Sequence, residues 1–128
     1  MDPQAVIAEA RPMLTEFLRD IGLHSDDAAL DLARMLEPFS DWVTQQTVED
    51  ADRFYLASRL GAFICEYLID HHSAVRRIDN DRILMRMPVA DSVAREFDPY
   101  PVALGITDGN GTLMNFIVGL TTGIDQTE

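Results

Sequence analysis

Residues 47–72, TVEDADRFYLASRLGAFICEYLIDHH, decide the fold of this chain. No proline interrupts them, and Thr47 followed three residues later by Asp50 has the spacing of a helix capping motif. Wound as a helix, the stretch carries four charged side chains on one narrow stripe, which are Asp52, Arg59, Glu66 and Asp70. Apolar residues cover most of the remaining circumference, as is typical of a buried helix. We therefore predict that this stretch is the central core helix.

The length and composition are those of a small globular protein. The chain has 128 residues, of which 47% are hydrophobic, so it is long enough to bury a core without metal or disulfide crosslinks. Its single cysteine, Cys65, excludes an internal disulfide and lies in the apolar helix, where cysteine usually acts as a small hydrophobe. We expect residues 1–128 to form one domain.

The charge is strongly acidic. The net charge is −12, and all ten basic residues are arginine. An acidic field repels phosphate backbones and anionic lipid, so nucleic acid and membrane surfaces are not expected as partners. The charge either favours a basic protein partner or serves only solubility. The N-terminus does not resemble a signal peptide, and no run of about 18 apolar residues is present, so we expect a cytoplasmic protein.

Two further helices are predicted before the central one. The first runs from about Pro3 to Leu23, and the second is capped by Ser25. Pro12 lies inside the first apolar pattern, so that helix is either kinked there or begins there. Pro38 lies inside the second pattern, which predicts a kink or two short helices that meet near Glu37.

Two strands, Ala74–Ile78 and Arg82–Val89, are predicted after the central helix and are joined by a short polar turn. Alternating apolar residues mark the buried face of the second strand, namely Ile83, Met85, Met87 and Val89. The register stays open. A two- or four-residue loop places Arg76 on the Met85 face, whereas a three-residue loop places Arg77 there.

The C-terminal part contains three more candidate elements. Residues Ser92–Phe97 form a short strand or a single turn, and Pro101–Asp108 form a helix. Residues 109–111 make a strong turn before a last helix over Leu113–Leu120, and the polar end over residues 121–128 is expected to fray. The whole pattern predicts an α+β fold. In it, the N-terminal helices and the central helix pack on one face of a small antiparallel hairpin or sheet, and a C-terminal helical pair closes the core.

The C-terminal half of the central helix carries the first candidate for chemistry. Glu66 and Asp70 share a helix face and His71 follows, a combination that would suit a divalent metal or acid–base catalysis. His71, however, lies about 100° around the helix from Asp70, and the HExxH spacing of zinc proteases is absent. We expect histidines that interact with the helix dipole, and we assign no catalytic residue, metal ligand or cofactor.

Arginines provide the second candidate. The hairpin carries four of the ten, which are Arg76, Arg77, Arg82 and Arg86. They form either a basic patch that receives a carboxylate or phosphate, or cross-strand pairs with neighbouring acids. The stripe of the central helix is either a solvated edge or a buried ion network around Arg59. The candidate binding residues are therefore Arg59, Glu66, Asp70, His71, Arg76 and Arg86.

Residues 60–68, LGAFICEYL, resemble a Leu-Gly…Glu pattern on the core helix of small uncharacterised bacterial domains. In those domains a short hairpin follows, and then a segment similar to DPYPVALGITDGNGTLMNFIVGL. The resemblance covers about residues 55–120, and Cys65 stands where those domains tend to have glycine. It implies an α+β fold and transfers no catalytic residue. It also draws attention to Glu66, which would need a partner such as Arg59 or a backbone N–H.

The acid surplus, together with the missing catalytic pattern, leads to one functional expectation. We expect a small non-catalytic protein-binding module, such as an adaptor or immunity-like protein, with a basic partner. The alternative is a small-molecule or metal site near Glu66, Asp70, His71 and the hairpin arginines, in a cavity beside the C-terminal end of the central helix. Homodimerisation through the surface of Trp42 or of the hairpin is a third possibility.

Overall fold

The computed structural model describes residues 3–24, 31–87 and 95–125. Within them, five helices and a three-stranded antiparallel sheet form the α+β fold that the sequence predicts. The elements in chain order are α1 (Pro3–Asp20), α2 (Leu32–Thr44), α3 (Asp50–His72), β1 (Val75–Asp79), β2 (Arg82–Met87), β3 (Arg95–Phe97), α4 (Pro99–Thr107) and α5 (Leu113–Asp125).

Helix α3 is the centre of the core, as predicted. Helices α1, α2 and α4 and strand β2 all pack against it, and α5 packs against α2. Its fully buried side chains include Leu60, Phe63, Ile64 and Leu68. The sheet packs on α3 and α4, while α1 and α2 contact α3. Of the helices expected on one face of the sheet, the central helix α3 packs on it, whereas the N-terminal helices α1 and α2 pack mainly on α3.

The ends of α3 differ from the predicted capping. The helix begins at Asp50 rather than Thr47, and Glu49 holds the N-cap position in an extended conformation without a side-chain cap bond. The acids of the first turn, Asp50 and Asp52, are favourable there because the helix dipole is positive at that end. At the other end Ser73 adopts a left-handed conformation, with φ of 57°, and its N–H donates to the carbonyl of Leu68.

Both proline-containing helices continue through their prolines. α1 includes Pro12 and α2 includes Pro38, so α1 does not begin at Pro12 and α2 is not divided near Glu37. Both prolines are exposed, which leaves the freed carbonyl groups close to solvent. The N-cap of α2 is Asp31, whose carboxylate accepts from Arg34 N at 3.4 Å. The predicted cap Ser25 lies outside the described residues.

The sheet has the order β1-β2-β3 and settles the open register. Asp79 pairs with Arg82, which leaves a two-residue loop, and Arg76 lies opposite Met85. The loop residues Asn80 and Asp81 have φ of 48° and 68°, as a tight hairpin turn requires. The predicted buried face is confirmed at Met85 and Met87, although Leu84 is buried as well, and Val89 lies outside the described residues. The third strand comprises residues 95–97 of the predicted segment.

The C-terminal helices are longer than predicted. α4 begins at Pro99 because Asp98 caps it, with Oδ1 accepting from Tyr100 N at 3.0 Å. α5 continues to Asp125, beyond the predicted end at Leu120, and residues 126–128 lie outside the described part. Thr121 is buried, and its hydroxyl donates to the Ile117 carbonyl at 2.8 Å, which satisfies a polar side chain inside the helix.

Two bidentate ion pairs link distant elements at the surface. Arg53 of α3 donates to both carboxylate oxygens of Asp108, just after α4, at 2.6 Å each. Arg77 of β1 donates to both oxygens of Glu96 on β3 at 3.0 and 2.7 Å. The hydrogen bond from the facing guanidinium is the main cause that lowers the pKa of each of these two carboxyl groups below its ordinary value.

These pairs predict a loss of stability in acid. Because the folded-state pKa values are depressed, the stabilisation is present above the unfolded values, ordinarily 3.8 for Asp108 and 4.5 for Glu96, and is lost as the pH falls through the folded values. We expect Asp108→Asn to be less stable than the wild type at pH 7, with a difference that shrinks as the pH falls below 3.8. Urea unfolding across this pH range measures the difference in the free energy of unfolding. The exposed Asp41→Asn is the control, and a difference independent of pH would contradict the assignment.

Gly61, in the middle of α3, makes a second prediction about stability. A Cβ built there would lie 3.9 Å from Ala103 Cβ and 4.0 Å from the Pro99 carbonyl oxygen, which are ordinary contacts. Gly61→Ala should therefore stabilise the protein by about 0.5–1 kcal/mol, since glycine is a poor helix former. Gly22→Ala is the matched control, because Gly22 has φ of 84° and alanine should destabilise there. Thermal unfolding of both variants tests this prediction. Equal shifts of the melting temperature with the same sign would contradict it.

Candidate functional site

The carboxylate of Glu66 is buried in the core beside two arginines. The residue is only 6% exposed. Arg11 Nη1 donates to Oε1 at 3.2 Å, and Arg76 Nη2 lies 2.7 Å from Oε2. The Arg76 contact is an ion pair without a well-directed hydrogen bond, so Oε2 is compensated by charge alone. A buried carboxylate of this kind needs such compensation because desolvation penalises its charged form.

Asp70 extends this arrangement to the surface. Arg11 Nη2 donates to Asp70 Oδ2 at 2.8 Å, so one guanidinium bridges two carboxylates one helical turn apart. This hydrogen bond is the largest cause that raises the pKa of Arg11. We call Arg11, Glu66, Asp70 and Arg76 the Glu66 ion network. It connects α1, α3 and β1, and its two positive and two negative charges cancel.

Three of the predicted binding residues thus come together, and a fourth member was missed. Glu66, Asp70 and Arg76 belong to the network, as does Arg11, which the sequence did not single out. A carboxylate among apolar residues signals the need for a cation. Nothing local to Glu66 indicates which of ten arginines provides it, because Arg11 lies 55 positions away in the chain.

The other three predicted residues lie outside the network. Arg59 is not the partner of Glu66, since its Nη1 donates to Ser58 Oγ at 3.0 Å and its guanidinium lies 4.3 Å from the centre of the Tyr55 ring. His71 is exposed, with its ring centre 5.1 Å from that of Tyr67. Arg86 is exposed on β2. The charged stripe of α3 is therefore neither wholly solvated nor wholly buried.

The described residues contain no group of three or more His, Cys, Asp or Glu side chains arranged to hold a metal ion. Nor does any helix in the described part of the chain have the length and apolar character needed to cross a membrane.

An apolar cavity of about 490 Å³ lies beside the network, along the middle of α3. We call it the α3–α4 groove. It is lined by Ile7 and Ala10 of α1, by Phe54, Ser58, Gly61, Ala62 and Cys65 of α3, by Arg76, Asp81, Arg82 and Ile83 of the hairpin, and by Asp98, Pro99 and Tyr100 at the start of α4. The small-molecule or metal alternative predicted a cavity beside the C-terminal end of the central helix instead. The groove forms where small side chains leave space between α1, α3 and α4.

Two exposed aromatic rings and one cysteine are part of the lining of the groove. Phe54 and Tyr100 line it while remaining 56% and 41% exposed. Burial is the main cause that raises the pKa of the Cys65 thiol to about 12, although nearby Arg76 opposes the shift. At neutral pH this thiol is protonated and a poor nucleophile. The groove is therefore suited to binding rather than to cysteine chemistry.

A second cavity of about 400 Å³ lies between the start of α3 and the end of α4. Its charged residues include Arg53 and Asp108, which bind each other in the bidentate pair described above. Since the ion pair occupies two of the three charged side chains of this lining, the third being Asp50, we take the α3–α4 groove as the candidate site.

The network should be needed for stability. Glu66→Gln keeps the size of the side chain but leaves Arg11 and Arg76 without their shared counter-charge. We expect it to lower the free energy of unfolding by about 1–3 kcal/mol, as for a lost charged hydrogen bond. Asp70→Asn removes only the outer contact, where both side chains are about one-third exposed, and should cost less than about 1 kcal/mol. Urea unfolding at pH 7 compares the two variants, and equal stability of Glu66→Gln and the wild type would contradict this assignment.

Function is inferred from this geometry and from the charge of the chain. No protein-family model, curated protein or solved structure matches the chain.

Proposed function

We propose that the protein is a non-catalytic protein-binding module, of the adaptor or immunity-like kind, that receives a basic partner protein in the cytoplasm. The observation that carries the proposal is the α3–α4 groove, an apolar cavity of about 490 Å³ on an otherwise acidic protein. Concave apolar surfaces with exposed aromatic side chains are typical of the centres of protein interfaces.

The exposed aromatic rings support a macromolecular partner. Phe54 and Tyr100 come from different helices, yet both line the groove and keep about half of their surface in solvent. Tyrosine and other aromatic residues are enriched in interfaces because they bury a large area with little loss of conformational entropy. A partner that covers the groove would remove both rings from water.

The charge supports a basic partner. With a net charge of −12, the protein attracts cationic surfaces over a distance set by the ionic strength. Such steering raises the rate of association and makes the affinity depend on salt. A basic protein with an apolar anchor would use both features of the molecule.

The state of the ionisable groups supports a role without catalysis. The Cys65 thiol is protonated, and the Glu66 carboxylate is held by Arg11 and Arg76. A group that is saturated by structural partners is a poor general base or nucleophile, because it must first give up those contacts.

Affinity capture from the source cell tests the proposal. The immobilised protein should retain a basic protein at low salt and release it at high salt. Ala62→Trp, which places a large side chain in the groove, should abolish this capture because it occupies the space of the anchor. Val118→Trp is the matched control, since Val118 is exposed on α5 and does not line the groove.

Circular dichroism and thermal unfolding first establish that both tryptophan variants are folded. Capture of no basic protein at low salt would overturn the proposed function. Equal capture by the wild type and by Ala62→Trp would place the partner elsewhere on the surface and remove the groove from the proposal.

A small-molecule binding protein is the second candidate, favoured by the volume of the groove. About 490 Å³ lies within the range of about 300–1,000 Å³ that is usual for ligand pockets. A thermal-shift screen of metabolites tests it, because a ligand that binds only the folded state raises the melting temperature. Stabilisation of the wild type and of Val118→Trp, but not of Ala62→Trp, would support this candidate over the protein partner. The same thermal-shift assay with a panel of divalent metals, run on the wild type and on Glu66→Gln, tests a metal site near Glu66 and Asp70.

A further inference from the structure

The charges around the α3–α4 groove do not balance once the internal ion pairs are set aside. Arg76 lines the groove, but it belongs to the Glu66 ion network, whose charges cancel. The remaining charged side chains of the lining are Asp81, Asp98 and Arg82. Arg82 makes no salt bridge to any acid among the described residues. Apart from Arg76, whose charge Glu66 compensates, the lining therefore carries two carboxylates and one guanidinium.

Both acids lie at the hairpin and α4 side of the groove. Asp98 is the N-cap of α4, and only its Oδ1 accepts a hydrogen bond from the described residues, namely from Tyr100 N. Its second oxygen is available to another donor. Asp81 is exposed in the tight turn of the hairpin, where its φ of 68° fixes the backbone. The two acids come from separate parts of the chain and line the same cavity.

The rest of the groove suits the stem of a long side chain. The α3 lining includes Gly61 and Ala62, whose small size gives the cavity its depth. Phe54 and Tyr100 present exposed rings, and the Phe54 ring already has the Arg53 guanidinium 5.4 Å from its centre. Aromatic faces attract cations, and arginine and lysine side chains combine an apolar stem with a charged end.

We propose that the groove recognises an arginine side chain presented by a basic segment of the partner protein. Its methylene stem lies over Gly61 and Ala62, and its guanidinium donates to Asp81 and Asp98. Arginine fits better than lysine because its planar guanidinium both stacks on aromatic rings and forms forked hydrogen bonds with carboxylates. This inference rests on the proposed function and specifies the chemistry of the partner.

The two acids can be neutralised without changing the fold. Asp98→Asn keeps an oxygen that caps α4, because asparagine is as good an N-cap as aspartate. Asp81→Asn keeps a residue that tolerates positive φ. The double variant Asp81→Asn/Asp98→Asn therefore removes two charges from the groove. The matched control is Glu37→Gln/Asp41→Asn, which removes two exposed charges from α2 and leaves the same net charge.

Binding of defined peptides tests the inference. The probes are the capped peptide acetyl-Leu-Arg-Leu-Arg-amide and its analogue with citrulline, which has the same stem without the charge. Calorimetry and NMR titration measure the dissociation constants at low salt. We expect the arginine peptide to bind the wild type, and the groove variant to bind it about tenfold or more weakly, the loss expected for a charged hydrogen bond. The α2 control should change the affinity for the arginine peptide less than about twofold. The citrulline peptide should bind the wild type about as weakly as the arginine peptide binds the groove variant.

Three results would overturn the inference. These are equal affinity for the arginine and citrulline peptides, equal weakening by the groove and α2 variants, and no binding of the arginine peptide at millimolar concentration. The first would indicate a purely apolar site and the second a non-specific acidic field. If the Asp81→Asn/Asp98→Asn variant captures a basic protein as well as the wild type does, this inference is overturned while the proposed function stays intact. Peptide binding without any captured protein would instead count against the proposed function.

Discussion

The buried carboxylate of Glu66 is the constraint on which the arrangement of the other elements depends. It lies on α3, the helix that the rest of the core surrounds, and an isolated charge there would be strongly destabilising. Arg11 and Arg76 compensate it, and these two residues come from α1 and β1. The network therefore holds one helix and one strand in defined positions against α3. Apolar packing alone specifies such positions less sharply, because it is non-directional.

The same constraint shapes the candidate site. Arg76 is the one residue of the Glu66 ion network that also lines the α3–α4 groove. Because Glu66 neutralises it, the groove beside it is less basic than the arginines of the hairpin alone would make it. The acids Asp81 and Asp98 then have more influence on the local charge. The Glu66 ion network and the α3–α4 groove are in this way connected through one guanidinium.

The groove also explains why small residues occur on a core helix. Glycine in a helix is unfavourable by about 1 kcal/mol relative to alanine. Gly61 nevertheless lies where α3 passes α4, with the Ala103 side chain and the Pro99 carbonyl about 4 Å from where a Cβ would be. Ala62 and Cys65 continue the small lining on the same helix. A helix with larger apolar residues here would fill the cavity and gain packing.

Elements that depend on local pattern could be predicted from the sequence. Apolar periodicity identified α3 as the central helix, and the alternation of Met85 and Met87 identified the buried face of β2. The α+β class followed, because helical and strand periodicities differ and can be read along the chain. The ends of the elements were less well predicted. α5, for example, continues past its predicted end at Leu120 and includes Thr121, a polar residue that is buried.

Only the tertiary structure decided which residues meet. Any of ten arginines could have compensated Glu66, and the hairpin register that directs Arg76 toward it depends on a two-residue loop that local sequence left open. The α3–α4 groove is likewise a gap between elements far apart in the chain, lined from Ile7 to Tyr100. The physical reason is that charge pairing and cavity shape depend on distances in space, which sequence separation does not encode.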